Sequence, residues 1–318
     1  MISFIMIGRN EGWKLTKCFE SVFKTIEVNN LTNSEVIYVD SKSTDDSIKR
    51  AMKFPKIKIF QITGQCNAAI GRNIGAIESK GNVLFFIDGD MEIMPEFLTE
   101  IYSMDKKLSY PFVSGLFQNY YYGSKGEFLY SENYCNLQKD TFQTTTGGLF
   151  IITRKLWLSV EGMKTKYTRS EDLDLGLRLA EHGTKLLRKN ILMAKHHTIS
   201  YNSSSRMWSI LLNCGEFYRS VLLREHFTNL GFHKKFIREN YTSILSLISL
   251  IVMLFFGEPM IIYFYLLAIF ARATFNLHKE ILRVPSRVLY FIVRDISIWG
   301  AFCAFWPSTK KLKYKCVK

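Results

Sequence analysis

The chain has 318 residues, 47% of them hydrophobic and 22% charged. That excludes a disordered chain and leaves room for a full catalytic domain plus an additional region. A formal net charge of +14 points to nucleic acid or to an anionic membrane face. The longest apolar runs follow residue 240, which favours the membrane and argues against nucleic acid. Cys18, Cys66, Cys135, Cys214, Cys303 and Cys316 show no C-x-x-C spacing, which argues against a zinc site or a disulfide framework and fits a reducing compartment.

In chain order, Ile2 to Ile7 reads as a strand, with no basic leader or cleavage site ahead of it. Glu11 to Ile26 carries apolar residues at helical spacing, and Val36 to Val39 is a second strand ending at Asp40. Ser43-Thr44-Asp45-Asp46 predicts the N-cap of a short helix through Met52. Lys58 to Ile62 is a third strand. Asn67 to Lys80 is a helix with Ala68, Ala69, Gly71, Gly75 and Ala76 on one side. Val83-Leu84-Phe85-Phe86-Ile87 then reads as a strand buried on both faces, running into Asp88-Gly89-Asp90. Alternating strands and helices at this spacing predict βαβ units and a mostly parallel sheet.

Beyond residue 110 the pattern is mixed. Phe112 to Phe117 and Leu149 to Thr153 read as strands, with an aromatic segment between them. Tyr120-Tyr121-Tyr122 in that segment is a sugar-stacking or lipid-stacking candidate, or ordinary packing. Leu173 to His182 reads as a helix after an acidic turn, and Ile191 to Ala194 as a last strand leading to His196 and His197. Residues 206–240 predict amphipathic interfacial helices, with Trp208 to Phe227 interleaving apolar and basic residues. Residues 241–318 predict membrane-embedded helices: a hairpin over 243–273 with its apex at Glu258, a further segment over 288–306, and a basic tail from Lys310. The loop from Arg272 to Arg287 is also basic. A buried soluble helical domain is the alternative.

Four polar clusters fall at strand ends: Gly8-Arg9-Asn10-Glu11, Asp40-Ser41 with Ser43-Thr44-Asp45, Asp88-Gly89-Asp90, and Glu171-Asp172-Leu173-Asp174. Ligands of open parallel sheets bind beyond the carboxyl ends of the strands. Two carboxylates there suit Mg²⁺ or Mn²⁺ carrying a diphosphate. Taken alone, a solvated Asp-Gly turn is the plainer reading.

In this combination the first 205 residues resemble the family 2 inverting glycosyltransferases of GT-A fold. Ile7-Gly8-Arg9-Asn10-Glu11 stands where the family has Pro-Thr-Tyr-Asn-Glu, without the proline. Val39-Asp40-Ser41-Lys42-Ser43-Thr44-Asp45 keeps the frame of Val-Asp-Asp-Gly-Ser-Thr-Asp and loses the second acid. Gly71-Arg72-Asn73-Ile74-Gly75-Ala76, Gly81, the DXD motif at 88–90, Gly147-Gly148 and Glu171-Asp172 complete the resemblance. It implies an α/β GT-A domain over 1–205, with a Rossmann-like, mostly parallel sheet, and a helical membrane-associated region after it.

The resemblance also implies roles. Ile7, Arg9, Glu11, Asp40, Arg72, Asp88 and Gly89 would bind a nucleotide-sugar donor. Asp90 with Asp88 would bind Mg²⁺ or Mn²⁺, Gly148 and Glu171 would lie on the acceptor side, and Asp172 would be the catalytic base. Arg72 has a second reading as a helix-surface charge. His196 or His197 is a third metal ligand, or packs. Arg206-Met207-Trp208 lacks the glutamine expected of processive synthases, so one sugar would be added, to a glycan or lipid-linked acceptor at the cytoplasmic side of a membrane. The alternatives are a polyprenyl-phosphate glycosyl transferase and a non-catalytic membrane scaffold with the same fold.

Overall fold

The computed structural model describes residues 1–102, 107–123, 126–199, 204–275 and 283–318, so residues 276–282 of the basic loop lie outside the described residues. Two compact units emerge, Met1–Ser200 with Ser308–Lys318, and Tyr201–Pro307. The basic tail, expected with the helical region, thus belongs to the unit that holds the sheet.

That unit opens as β1 (Ile2–Gly8), α1 (Trp13–Val28), β2 (Ser34–Asp40), α2 (Ser47–Met52), β3 (Ile57–Ile62), α3 (Ala68–Glu78) and β4 (Val83–Asp88). It continues with β5 (Met91–Ile93), α4 (Pro95–Ile101), β6 (Phe112–Tyr122), β7 (Phe128–Asn133), β8 (Thr141–Gln143), β9 (Phe150–Thr153), α5 (Arg154–Ser159), α6 (Glu171–Glu181) and β10 (Leu186–Thr198). The sheet order is β11-β3-β2-β1-β4-β9-β6-β10-β5, where β11 is Tyr314–Cys316 of the tail.

The expectation of a mostly parallel sheet holds only for β3, β2, β1 and β4, which pair in parallel. Beyond β4 the strands β9, β5, β7 and β8 pair antiparallel, and only β6 with β10 is parallel, so the sheet is mixed. Only β6 and β7 among these are joined by a short connection, which makes them an antiparallel hairpin. The others pair with strands distant in the chain, so their direction is set by long returns and not by repeated βαβ units.

β4 is buried because β1 and β9 flank it and helices cover both faces of the sheet, which is why its five apolar residues run without alternation. The parallel register sets Gly8 opposite Asp40 and Ile7 opposite Asp88, so three strand ends stop at one level. α3 lies close against this sheet. A Cβ on Gly75 would stand 2.2 Å from Ile5 Cγ2, so only glycine permits the approach. The last predicted strand is much longer than expected: β10 spans Leu186–Thr198 and carries both histidines within it. The aromatic segment forms a hairpin of β6 and β7, and Tyr120 to Tyr122 lie on its first strand.

The second unit comprises α7 (Ser204–Leu212), a 3₁₀ turn at Gly215–Phe217, α8 (Tyr218–Glu225), α9 (Leu230–Glu239), α10 (Tyr241–Phe256), α11 (Met260–Thr274) and α12 (Val284–Ala304). The helix expected over 208–227 breaks at Cys214, which takes a left-handed φ of 59°. Leu211, Tyr265, Ile269, Tyr290 and Phe291 form its core. Arg294 and Asp295 are buried in α12, where Arg294 pairs with Glu216 at 3.2 Å. Arg224 donates to the carbonyls of Ala301 (3.0 Å) and Phe305 (2.5 Å), capping the end of α12. No single described helix is long and apolar enough to cross a membrane; α9 and α10 together meet that test only as a pair bent by 87°. The expectation of membrane-spanning segments therefore has no straight helix to rest on.

Gly75→Ala is expected to destabilise the sheet-bearing unit by about 1–3 kcal/mol through overpacking against Ile5, measured as a lower urea midpoint at unchanged slope.

Candidate active site

The shared strand level brings Asp88 to the carboxyl end of β4, where α3 supplies Arg72. Arg72 is 2% exposed, which excludes the reading as a helix-surface charge. Its Nη2 donates to Asp88 Oδ1 at 2.7 Å and its Nη1 to Glu171 Oε1 at 3.1 Å. One guanidinium thus ties the end of β4 to the first turn of α6. Burial pushes the Asp88 carboxyl up to about 6, with Arg72 opposing the rise. Burial likewise raises Glu171 against the pull of Arg72.

Gly148 completes this corner from the loop before β9. Its φ is +84°, and a Cβ there would fall 2.2 Å from Asp88 Oδ2, so both conformation and space require glycine. Asp172, in the first turn of α6, accepts from Thr145 Oγ1 at 2.9 Å and from the Gly147 amide at 3.1 Å through the same oxygen, Oδ2. Glu171 and Asp172 therefore sit inside the helix at its start and not in a turn before it.

Asp90 meets β10. Its Oδ2 lies 3.2 Å from His196 Nε2, while His196 Nδ1 is 2.8 Å from Asn119 Oδ1. The Asn119 amide donates to Tyr121, which in turn donates to Glu132 at 2.7 Å, so the Asn119 oxygen is an acceptor. His196 must then carry its proton on Nδ1, and Nε2 faces a carboxylate oxygen. Two lone-pair atoms face each other, an arrangement that calls for a cation between them, either a proton or a metal ion. Burial pushes Asp90 up, but the hydrogen bond and charge of His196 hold it below its ordinary value. Among the described residues no group of three or more His, Cys, Asp or Glu could hold a metal by itself. The donor set fits a divalent ion shared with a substrate's phosphates, not a closed protein cage.

The structure separates the two histidines. His197 is 2% exposed and both its ring nitrogens are engaged, Nδ1 with Tyr122 OH at 2.8 Å and Nε2 with Glu92 at 3.0 Å. It packs, and the metal-ligand reading passes to His196. Alternation along β10 puts the neighbours on opposite faces.

The donor-side candidates divide similarly. Glu11 lies at the rim beside Gly89, paired with Lys14 at 2.7 Å, and burial followed by the charge of Asp90 raises its carboxyl. Arg9 is exposed, with Nη1 3.9 Å from Cys66 Sγ. Ile7 is buried and packs under Gly71. Asp40 is fully buried and accepts from Ser43 N (2.9 Å), Tyr38 OH (3.1 Å) and Gln61 Nε2 (3.3 Å). Its oxygens are satisfied within the protein, so it shapes the loop after β2, and a nucleobase would have to displace one of those bonds.

Residues 3–165, just over half of the chain, match the family described as glycosyl transferase family 2. The chain belongs to this family. It is a glycosyltransferase with a GT-A-like domain. No curated protein matches the chain. Its fold is similar to the crystal structure of GalNAc-T7 with UDP, GalNAc and Mn²⁺, at 16% identity and a TM-score of 0.51, over 75% of this chain and 54% of that one. The chain thus spans about half of that protein, and at this identity the likeness is one of fold.

One residue of this glycosyltransferase has no signal in the sequence. Arg188 of β10 is 1% exposed. It donates to Gly115 O (2.6 Å), Gln143 Oε1 (2.7 Å), Thr145 O (3.2 Å) and Thr146 O (3.1 Å). The loop it clamps is the one that supplies Thr145 and Gly147 to Asp172 and Gly148 to Asp88. Arg188→Met is expected to cost about 3 kcal/mol or more of stability, since several buried carbonyls lose their donor. At temperatures where the variant stays folded it should lower kcat with little change in the KM for donor; an unchanged kcat would separate Arg188 from the site.

Proposed function

We propose that this family 2 enzyme transfers one sugar from a nucleotide-sugar to a hydroxyl acceptor, with inversion and with a divalent cation. The observation that carries the reading is that Asp90 faces His196 while Arg72 ties Asp88 to Glu171, the residue directly before Asp172. A bound Mg²⁺ or Mn²⁺ would be held by Asp90 with His196 or Asp88 and by phosphate oxygens of the donor, and would neutralise the leaving diphosphate. The neighbouring fold was solved with UDP, GalNAc and Mn²⁺, which supports a cation here. Asp172 spends Oδ2 on Thr145 and Gly147, which fixes the carboxylate and turns Oδ1 to the proton of an acceptor hydroxyl. Attack by that oxygen on the anomeric carbon, opposite the leaving diphosphate, inverts the centre in one step. Gly148 lets the two acidic corners approach, and Arg72 keeps Asp88 oriented.

The acceptor we propose is a lipid-linked or cell-surface glycan precursor, reached with the helical unit against the cytoplasmic face of a membrane. Support comes from the apolar ends of α10 and α11, where Phe255 is 79% and Phe256 73% exposed, and from Lys234, Lys235 and Arg238 on α9, which suit an anionic surface. Interfacial insertion fits helices of this length better than spanning does.

In a hydrolysis screen of nucleotide-sugars with Mn²⁺, Asp90→Ala should abolish cation-stimulated turnover. Asp172→Asn should lower transfer by about 10²–10⁴ while donor binding stays close to wild type; wild-type turnover in Asp90→Ala would refute the cation assignment. Because Asp88 is charged only above about 6, protons compete with the ion below that pH. Mn²⁺ affinity, measured calorimetrically, should therefore fall as the pH drops through 6 and level off above it. Flotation with vesicles containing anionic lipid should carry the wild-type protein, and a double change of Phe255 and Phe256 to Glu should leave it at the bottom of the gradient.

A further inference from the structure

The C-terminal tail lies outside the family match and is nevertheless bound tightly to the catalytic unit's sheet. β11 pairs antiparallel with β3, Tyr314 opposite Ile62 and Cys316 opposite Phe60. The pairing continues on both sides: Thr63 N donates to Lys313 O and Ile59 N to Lys318 O, each at 2.8 Å. Leu312 packs against the cluster of Ile7, Ile62 and Ile70, and Tyr314 OH donates to Glu78 at 2.6 Å. At the near end, Thr165 Oγ1 donates to Lys310 O at 2.7 Å and accepts from Lys310 N at 3.0 Å.

These contacts hold the tail by its main chain and by Leu312 and Tyr314. The Lys310 side chain plays no part in them. It is half-buried, and it stands beside Cys66 at the carboxyl end of β3. Arg9 reaches the same Cys66 from the carboxyl end of β1. Among the described residues neither cation has a carboxylate within ion-pair distance: Asp40 is satisfied internally and Glu11 is paired with Lys14. Burial holds the Lys310 ammonium below its ordinary pKa, as expected of a cation partly withdrawn from water without a counter-charge. Two unpaired cations, one after β1 and one before β11, thus approach Cys66 at the carboxyl edge of the sheet.

We infer that the C-terminal strand is a working part of the donor site, and that Lys310, with Arg9, receives the anionic nucleoside-diphosphate end of the donor. This rests on the nucleotide-sugar reading above. It adds a binding residue from a segment about 145 positions beyond the family match, held in place by Thr165.

The test is calorimetric titration of the full chain with UDP and with GDP in the presence of Mn²⁺. Lys310→Met keeps the apolar stem and removes the charge. It should weaken whichever diphosphate binds by about tenfold or more, at an unchanged melting temperature. Lys310→Arg should restore most of the affinity, and Lys311→Ala, an exposed neighbour, should leave it at the wild-type value. Equal affinity in Lys310→Met and wild type, or equal weakening by Lys310→Met and Lys311→Ala, would overturn the inference and leave the donor reading standing. Failure of the wild-type chain to bind either diphosphate would overturn both.

Discussion

Everything at the active site depends on one buried guanidinium. Arg72 is enclosed between Asp88 and Glu171, and so joins a strand end to a helix start that are far apart in the chain. A buried cation with two carboxylates is costly to assemble, and removing one partner from such a set typically costs about 3–5 kcal/mol. That asymmetry is useful in an enzyme. The Arg72 bond fixes one oxygen of Asp88 and leaves the other against Gly148. The acids of α6 inherit their position from the same contact.

Around this tie the site is organised by loops held from behind. Arg188 clamps the carbonyls of residues 145 and 146, and the amide and hydroxyl of that loop then hold Asp172. Asn119 sets the tautomer of His196, and His196 in turn holds Asp90. In each case an acid of the proposed site is oriented by way of a second, buried group. Such preorganisation means that little reorganisation is left for the moment of reaction.

The two units carry different physics. Among the described residues the catalytic unit packs its buried apolar side chains in clusters on the two faces of its sheet. The helical unit buries an ionic cluster around Arg294 and Glu216 and leaves large apolar side chains at the ends of α10 and α11 in the open. Exposed apolar side chains of this size are costly in water and mark a surface that another apolar body would cover.

The strand-end acids were legible in the sequence because a buried strand must be a continuous apolar run and because it must end in polar residues. Val83 to Asp90 therefore announces both the strand and the ligands beyond it. The family frame at Asp40, Arg72, Asp88, Asp90 and Asp172 was readable for the same reason. What the sequence could not carry is anything decided by partners far along the chain. Arg188 bonds to residues 42 to 74 positions away, and nothing near it in the chain marks it. The choice between His196 and His197 needed the face of β10, and the burial of Arg72 needed α6 to close over it. The mixed sheet, the inward-turned Asp40 and the return of the tail to β3 were likewise tertiary outcomes. Local patterning determines which residues end at the rim of a sheet; only the packed chain decides which of them face the ligand and which are used up holding the others.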